Sequence, residues 1–139
     1  MTTPLVTRIL FATDFSDDAG WAQEYARYLA TMWNATLDVI HVIEGPHWSS
    51  AEAEMFAATA QARAQAARQL DQVRDDLARD GVAAKARLVL GNPTEHIYLA
   101  AKDTGVELLV LGLQGQTNLL HGLIAVSYKH LNQPTRDLG

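Results

Sequence analysis

The sequence contains no cysteine, which excludes both disulfide bonds and thiolate metal sites. No apolar run approaches the roughly 20 residues that a membrane-spanning helix needs. Basic residues are outnumbered, 11 against 16 acidic ones, and the net charge of -5 argues against a general nucleic-acid or anionic-membrane surface. A small anionic ligand is still compatible with this charge, because backbone N–H groups can bind an anion without basic side chains.

The N-terminal segment MTTPLVTRILFATDF lacks the apolar core of a secretory signal, because the stretch Ile9–Ala12 is too short and Asp14 ends it. Together with the absence of cysteine, this leads us to expect a cytoplasmic protein. A chain of 139 residues with 48% apolar and 19% charged residues is typical of an ordinary globular protein. We therefore expect one domain over residues 1–139.

Short apolar or alternating segments are separated by longer helical patterns along the chain. The predicted strands are Arg8–Thr13, Thr36–Val42, Ala83–Leu90 and Glu107–Gly112. The predicted helices run from a cap at Ser16 to about Asn34, from Ser49 or Ser50 to about Asp80, from Pro93 to Gly105, and from a glycine-rich loop to about His130. Because strands and helices alternate, we expect an α/β fold with a parallel sheet and right-handed crossovers.

The first predicted helix carries two sets of apolar residues at helical spacing. The larger ones are Trp21, Tyr25, Tyr28, Leu29 and Met32, and the alanines between them are Ala22, Ala26 and Ala30. The alanines allow close packing on a sheet. The third predicted strand alternates small or apolar residues with Lys85 and Arg87, which indicates a half-exposed strand near a sheet edge.

Three predicted strands end in segments that should meet at one edge of the sheet: Thr13–Asp14, Val42–Ile43 and Gly112–Gly115. Ligands of open parallel sheets bind outside the carboxyl ends of the strands, at the switch point of strand order. Glycines let a loop adopt positive φ and bring its N–H groups close to a phosphate, while Asp14 can accept hydrogen bonds from a ribose or adenine edge. The simpler alternatives are that the glycines only form a tight turn and that Asp14 only caps the first helix.

Other candidate sites are weaker. The five histidines show no metal-ligand spacing, and His41, inside a predicted strand, is expected to be a half-buried structural residue. His121 is expected to be an exposed loop residue. The phosphate-binding pattern GxxxxGK[ST] and the nucleophile elbow GxSxG are both absent, so we expect neither efficient phosphoryl transfer nor a nucleophile triad.

Four segments resemble one protein family. In chain order, ILFATDFS, IHVIE, GNPTEHI and LVLGLQGQTNL resemble the opening strand with its aspartate, the second strand, the start of the third helix and the nucleotide-binding loop of universal stress proteins. The resemblance covers about residues 5–132. It implies a Rossmann-like, adenine nucleotide alpha hydrolase-like sheet of order 3-2-1-4-5, usually in a dimer. Members that bind ATP or AMP and members that bind no nucleotide both occur.

Carried over position by position, the resemblance implies a set of nucleotide contacts. Ala12, Thr13 and Asp14 fall by the adenosine, Val42 falls at the adenine, and Leu111, Gly112, Gln114 and Gly115 fall around the ribose and phosphates. Ala125 and Val126 occupy the positions of a final Gly-Ser or Gly-Thr pair, and Ser127 follows one residue late. The implied ligand is ATP or AMP, with or without Mg²⁺.

Two departures from the family pattern change what we expect. Ala125 resists positive φ, Val126 has no hydroxyl, and Gln116 stands where the family often has arginine. We therefore predict weakened phosphate binding, with a monophosphate less affected than a triphosphate. Near the C-terminus, Pro134 is followed by TRDLG, in which no fifth strand can be recognised.

We accordingly predict strand order 3-2-1-4 with the usual fifth strand missing. The strand edge Leu108–Leu111 would then be apolar and exposed, and a homodimer or other oligomer, or the chain's own tail, is expected to cover it. The favoured hypothesis is a stress-response regulator that binds adenine nucleotide and contacts neither nucleic acid nor membrane. The alternatives are a universal stress domain that binds no nucleotide and acts through protein contacts, and a slow nucleotide hydrolase or transferase.

Overall fold

The computed structural model describes residues 6–44, 52–112 and 123–127, with backbone alone for 52–59 and 123–127. Its elements are β1 (Arg8–Thr13), α1 (Asp17–Trp33), β2 (Thr36–Glu44), α2 (Glu52–Arg79), β3 (Ala84–Gly91), α3 (Pro93–Thr104), β4 (Leu108–Gly112) and β5 (Leu123–Ser127). The four predicted strands and the first three predicted helices are all present, with ends that differ from the prediction by a few residues at most.

The sheet has the order β3-β2-β1-β4-β5. β1 pairs in parallel with β2 and β4, β2 pairs in parallel with β3, and β5 pairs antiparallel with β4. The predicted α/β open parallel sheet of order 3-2-1-4 is therefore confirmed. The strand order reverses between β1 and β4, which makes this boundary the switch point of the fold.

Different helices cover the two faces of the sheet because successive strands are added on opposite sides of β1 before and after the switch point. Right-handed crossovers from β1 to β3 place α1 and α2 on one face, and the return from β3 to β4 places α3 on the other. The larger core, under α1 and α2, includes the fully buried Phe11 and Val110. The smaller core, under α3, includes Leu10 and Ile40 packed with Ile97.

β3 forms one edge of the sheet, as its alternating sequence predicted. Lys85 and Arg87 are exposed, whereas the alternating residues Ala84, Ala86 and Leu88 are half-buried. Ala84, Ala86 and Leu88 pack against the larger core. The charged side chains therefore project from the sheet face that α2 does not cover, because successive strand residues point to opposite faces.

Small residues form the side of α1 that packs on the sheet. The helix begins after Ser16, whose hydroxyl accepts the Ala19 N–H at 3.2 Å, and it ends at Asn34 in the left-handed conformation with φ of 53°. Its buried residues are Ala19, Ala22, Ala26, Leu29 and Ala30. The predicted close packing through alanines is therefore confirmed.

The large side chains of α1 lie mostly on the exposed side of the helix. Of the predicted set only Leu29 is buried. Trp21, Tyr25, Tyr28 and Met32 are exposed. The positions of α1 that face the sheet are occupied mainly by alanines, so the larger side chains fall on the other side of the helix.

Gly112, the last residue of β4, lies beneath α1 at this close contact. A Cβ on Gly112 would lie 2.8 Å from the Cβ of Ala22 and 3.0 Å from both Ala19 Cα and Phe11 Cε1. Gly112 is not among the described residues with positive φ. Helix packing therefore requires the glycine here, and the left-handed turn that the sequence suggested for it is not present at this residue.

The segment after the glycine-rich loop contains a strand where a helix was predicted. Leu123–Ser127 pairs with β4 so that Leu123 lies opposite Gly112 and Ser127 opposite Leu108. The helix prediction is thus wrong for these residues, because β4 offers unpaired N–H and C=O groups and the sequence LIAVS contains residues suited to a strand.

This pairing also changes the expectation for the β4 edge. The parallel part of the sheet ends at β4 among the described residues, as predicted, but the edge is not bare. The chain's own β5 covers it, so a second subunit is not needed for this purpose. The segment that begins at Pro134 lies outside the described residues.

Candidate functional site

A cleft of about 390 Å³ lies at the carboxyl ends of β1 and β2, against the start of α3. It is lined by Ala12, Thr13, Asp14, Ile40, Val42, Glu44, Asn92, Pro93, Thr94 and Ile97. Its volume falls in the range of small-molecule sites, and its position at the strand ends beside the switch point is where open α/β sheets bind ligands.

Asp14 is held in a tight turn at the end of β1. Its Oδ1 accepts the backbone N–H of Ser16 at 3.0 Å, and its own N–H donates to the carbonyl oxygen of Gly112 at 3.3 Å. The hydroxyl of Thr13 accepts the N–H of Phe15 at 3.1 Å. Phe15 has a positive φ of 63°, a conformation that costs a non-glycine residue roughly 1–3 kcal/mol. The turn is therefore fixed by several hydrogen bonds at a local energetic cost.

His41 supports this turn from the opposite face of the sheet. Its Nδ1 lies 2.7 Å from the carbonyl oxygen of Thr13, and its ring lies 4.3 Å, centroid to centroid, from the ring of Phe15. The cleft itself contacts β2 through Ile40 and Val42, the residues on either side. His41 is half-buried, as predicted, but it has a specific contact with the residue before Asp14.

The start of α3 forms the other wall of the cleft. Asn92 caps the helix by accepting the N–H of Glu95 at 3.0 Å, and Pro93 occupies the first turn, where its missing N–H costs nothing. The preceding Gly91 has φ of 148°, and a Cβ there would collide with the imidazole of His96. The sequence therefore directs the positive end of the α3 dipole toward the cleft.

Sequence reasoning missed this wall as part of the site. Asn92, Thr94 and Glu44 line the cleft, but the segment GNPTEHI was assigned only to the start of a helix. The signal that could have identified them is topological. β3 lies beside β2, so the residues that follow the carboxyl end of β3 must lie near Val42.

The polar groups of the cleft favour a ligand with hydroxyl donors. Two carboxylates, those of Asp14 and Glu44, line it, and none of its described lining residues is Lys or Arg. Ile40, Val42 and Ile97 supply an apolar surface for a flat ring. Nowhere in the described ranges do three or more His, Asp or Glu side chains form a group that could hold a metal ion.

The structure brings together part of the predicted set. Ala12, Thr13, Asp14 and Val42 line one cleft. Leu111 and Gly112 lie on β4, opposite Ala12 and Thr13 of β1, but are not among the described lining residues. Gln114 and Gly115, together with Gln116 and His121, lie outside the described residues.

Three of the predicted contacts lie on the strand β5 and not at the start of a helix, and their role at a phosphate stays a prediction. Ala125, Val126 and Ser127 lie on β5, opposite Val110, Leu109 and Leu108 respectively. β5 runs from the carboxyl end of β4 toward its amino end, so each successive residue lies about 3.4 Å farther from the cleft edge. Ser127 thus reaches the opposite end of the sheet, because the segment is extended and antiparallel rather than the start of a helix.

No helix within the described part of the chain is long and apolar enough to cross a membrane.

Comparison with known proteins identifies relatives that are similar to this chain in sequence and in fold. Over 128 aligned residues the chain is 26% identical to universal stress protein MJ0577 of Methanocaldococcus jannaschii, with 81% of this chain and 79% of that protein covered. The solved structure of MJ0577 superposes with a TM-score of 0.71 at 24% identity, covering 86% of this chain and 83% of that one.

Two further structures are informative. A universal stress protein of Burkholderia pseudomallei matches with a TM-score of 0.68 and 26% identity over 92% of both chains. A universal stress protein solved in complex with cAMP matches with a TM-score of 0.52 and 21% identity, over 75% of this chain and 70% of that one. The model of the universal stress protein family matches residues 6–128. The chain therefore belongs to the universal stress protein family.

Proposed function

We propose that this protein is a cytoplasmic stress-response regulator that binds an adenine nucleotide in the cleft at the carboxyl ends of β1 and β2. The observation that carries the proposal is the position of Asp14. Its carboxylate lines the cleft beside the switch point, in a turn fixed by hydrogen bonds from both sides. Val42, implied by the family resemblance to lie at the adenine, lines the same cleft.

The chemistry of the lining residues fits a nucleoside. Asp14 and Glu44 would accept hydrogen bonds from ribose hydroxyls, and the apolar side chains of Ile40, Val42 and Ile97 would contact the base. The N-terminus of α3 would interact favourably with a phosphate. A bound nucleotide would thereby contact β1, β2 and α3 at once, so its binding would stabilise the packing of α3 on the sheet.

Within this proposal, a nucleotide with one phosphate binds better than ATP. The two carboxylates of the cleft oppose a highly charged phosphate chain, and the described lining residues offer no cation to offset it. A relative solved in complex with cAMP supports a monophosphate as ligand. Mg²⁺ would arrive on the nucleotide phosphates, because the described residues form no metal-binding group. We propose the nucleotide as a ligand rather than a substrate, with slow hydrolysis at most.

The test is the nucleotide content and binding capacity of the purified protein. The protein is denatured, the supernatant is chromatographed for adenine nucleotides, and the emptied protein is titrated calorimetrically with AMP, cAMP and ATP. Asp14→Asn removes the charge but keeps an oxygen that accepts the Ser16 N–H. Asp17→Asn, at an exposed position of the next helix turn, is the matched control.

We expect one equivalent of AMP or cAMP to bind, with an affinity that Asp14→Asn lowers by roughly 10- to 100-fold, the value of charged hydrogen bonds. Asp17→Asn should bind like the wild type. Empty protein that shows no heat with any of the three nucleotides at millimolar concentration would contradict the proposal. It would favour the second candidate, a universal stress domain that acts only through protein contacts, which the position of Ala125 and Val126 on β5 supports.

A further inference from the structure

β3 is an edge strand that uses the hydrogen-bonding groups of only one of its sides. It pairs with β2 over its whole length, from Ala84 opposite Leu37 to Gly91 opposite Glu44. Among the described residues, no strand lies on its other side. β3 contains no proline, so each of its residues keeps a backbone N–H. Such an edge is a template on which an extended segment of another molecule can pair.

The backbone groups that face the free side of β3 can be identified from one hydrogen bond. The N–H of Leu37 donates to the carbonyl oxygen of Ala83 at 3.0 Å, so the backbone of Ala83 is directed toward β2. Because this direction alternates along a strand, every second residue from Ala84 to Leu90 directs its N–H and C=O toward the free side. An added strand would therefore bond to these alternate residues.

Two basic side chains stand between the outward-directed positions. Lys85 and Arg87 are exposed on the sheet face that α2 does not cover. A depression of about 160 Å³ borders them on this face, lined also by Leu10 and Asp38. The face is therefore open beside the two cations, and side chains of an added strand would lie directly opposite them.

The carboxylate that borders this pair is engaged by another residue. Asp38 lies opposite Lys85 in the register of β2 and β3, but its Oδ2 binds Nη2 of Arg8 at 3.0 Å. Of the ion pairs that the described residues form, none includes Lys85 or Arg87. In a chain with a net charge of -5, the edge of β3 thus carries a local surplus of positive charge.

Charge and backbone geometry together select the occupant. A second β3 would set like charges opposite one another, which destabilises a strand pair. A nucleic acid would meet the two cations but would leave the backbone groups of the edge unpaired. An extended peptide with carboxylates at positions i and i+2 satisfies both, because its alternate side chains share the face of Lys85 and Arg87. Its intervening side chains would lie on the side of Ala86, which packs against the larger core, so apolar residues fit there.

An antiparallel direction suits the charges best. The positions opposite Lys85 and Arg87 are then non-hydrogen-bonded pairs, in which opposing side chains approach most closely. Antiparallel pairing is also slightly more stable per residue than parallel pairing.

We propose that β3 binds an acidic, extended segment of a partner protein by antiparallel strand addition, with alternate Asp or Glu side chains opposite Lys85 and Arg87. Backbone hydrogen bonds supply affinity, and the two cations select the partner. The inference is independent of nucleotide binding.

Fluorescence anisotropy tests the proposal with a labelled, end-blocked peptide, Thr-Val-Glu-Val-Glu-Val-Thr, and the full chain at concentrations up to about 1 mM. The wild type should bind it, and Lys85→Glu/Arg87→Glu should lower the affinity at least about tenfold, because two attractive pairs become repulsive. Arg63→Glu/Arg68→Glu makes the same change in net charge at two exposed positions of α2 and should bind like the wild type. Far-UV circular dichroism confirms that each variant is folded. No binding by the wild type, or equal binding by the β3 variant, would overturn the proposal.

A charge exchange separates a specific pairing from a general effect of the substitutions. A peptide in which lysine replaces both glutamates should bind the Lys85→Glu/Arg87→Glu protein and not the wild type, because opposite charges face each other again. A variant that binds neither peptide would show that the substitutions damage the edge itself and would overturn the role of charge. A single-stranded oligonucleotide that binds the wild type as tightly as the glutamate peptide would reduce the edge to a general anion surface.

Two isomeric N-methylated peptides test the backbone pairing. In the antiparallel register the N–H of the central valine bonds to β3, whereas the N–H of each glutamate is directed away from it. Methylation of the valine nitrogen should therefore abolish binding to the wild type, and methylation of one glutamate nitrogen should leave it intact. Binding that survives both changes would exclude strand addition, and loss in the glutamate isomer alone would make the added strand parallel and overturn the proposed register.

Discussion

The imidazole of His41 donates from Nδ1 to the carbonyl oxygen of Thr13 at 2.7 Å. A carbonyl can only accept, so Nδ1 carries the proton in this contact. The hydrogen bond joins β2 to the end of β1 immediately before Asp14, and the ring of Phe15 packs against the same imidazole in a tilted arrangement. His41 is therefore a positioning residue for a cleft that it does not itself line.

Two substitutions at His41 test the roles of its hydrogen-bond donor and of its aromatic ring separately. His41→Phe keeps a ring against Phe15 but loses the donor, and we expect AMP affinity to fall about fivefold, the equivalent of one hydrogen bond of about 1 kcal/mol. His41→Asn places an amide N–H near the position of Nδ1 and should retain affinity. Calorimetric titration of folded protein measures both. Equal affinity in the wild type and both variants would reduce His41 to a structural residue.

Gly112→Ala should destabilise the protein, because the added methyl would lie 2.8 Å from Ala22 Cβ under α1. Overpacking of this kind costs roughly 1–3 kcal/mol in the free energy of unfolding. Gly20→Ala is the control, since a Cβ at this helical glycine meets nothing within 4 Å and should stabilise by about 0.5–1 kcal/mol. Urea denaturation compares the two. A Gly112→Ala protein as stable as the wild type would show that α1 can move away from the sheet.

Asn92→Ala should weaken the start of α3 and the cleft wall together. The substitution removes the acceptor of the Glu95 N–H, a loss of about 1 kcal/mol in unfolding free energy. Asn92→Asp keeps an acceptor oxygen and should keep the stability. Thermal unfolding is the measurement, and a stability change in Asn92→Asp as large as that in Asn92→Ala would contradict the capping role.

Introducing the family's Gly-Ser pair as Ala125→Gly/Val126→Ser tests the placement of β5. Both residues pair with the middle of β4, so we expect no gain in nucleotide affinity and a loss of about 1 kcal/mol or more in unfolding free energy, because Gly and Ser are poor in strands. Calorimetry and urea denaturation report the two quantities. A clear gain in affinity would place these residues at a phosphate instead.

The parts of the fold that depend on local sequence were predictable, and those that depend on neighbouring elements were not. The run Arg8–Thr13 and the cap Ser16 are local signals, and both are correct. The helical spacing of Trp21 and of the other large residues of α1 does not by itself say which side is buried, because that depends on how α1 packs on β4.

The same distinction applies to the site. Asp14 and Val42 follow from strand ends and from the family resemblance, and they do line one cleft. Asn92 and Thr94 join them only through the pairing of β3 with β2. For Ala125 the motif position implied a helix start, whereas the open edge of β4 selects a strand, so only the secondary structure of this segment was predicted wrongly.

The two edges of the parallel part of the sheet are closed to further strand pairing between copies of the chain in different ways. On one side β5 takes up the hydrogen-bonding groups of β4. On the other side β3 carries Lys85 and Arg87, so a second β3 laid against it would bring cations together. Edge-to-edge pairing of two sheets through β3 is therefore disfavoured by charge, and we expect this protection to weaken as ionic strength rises.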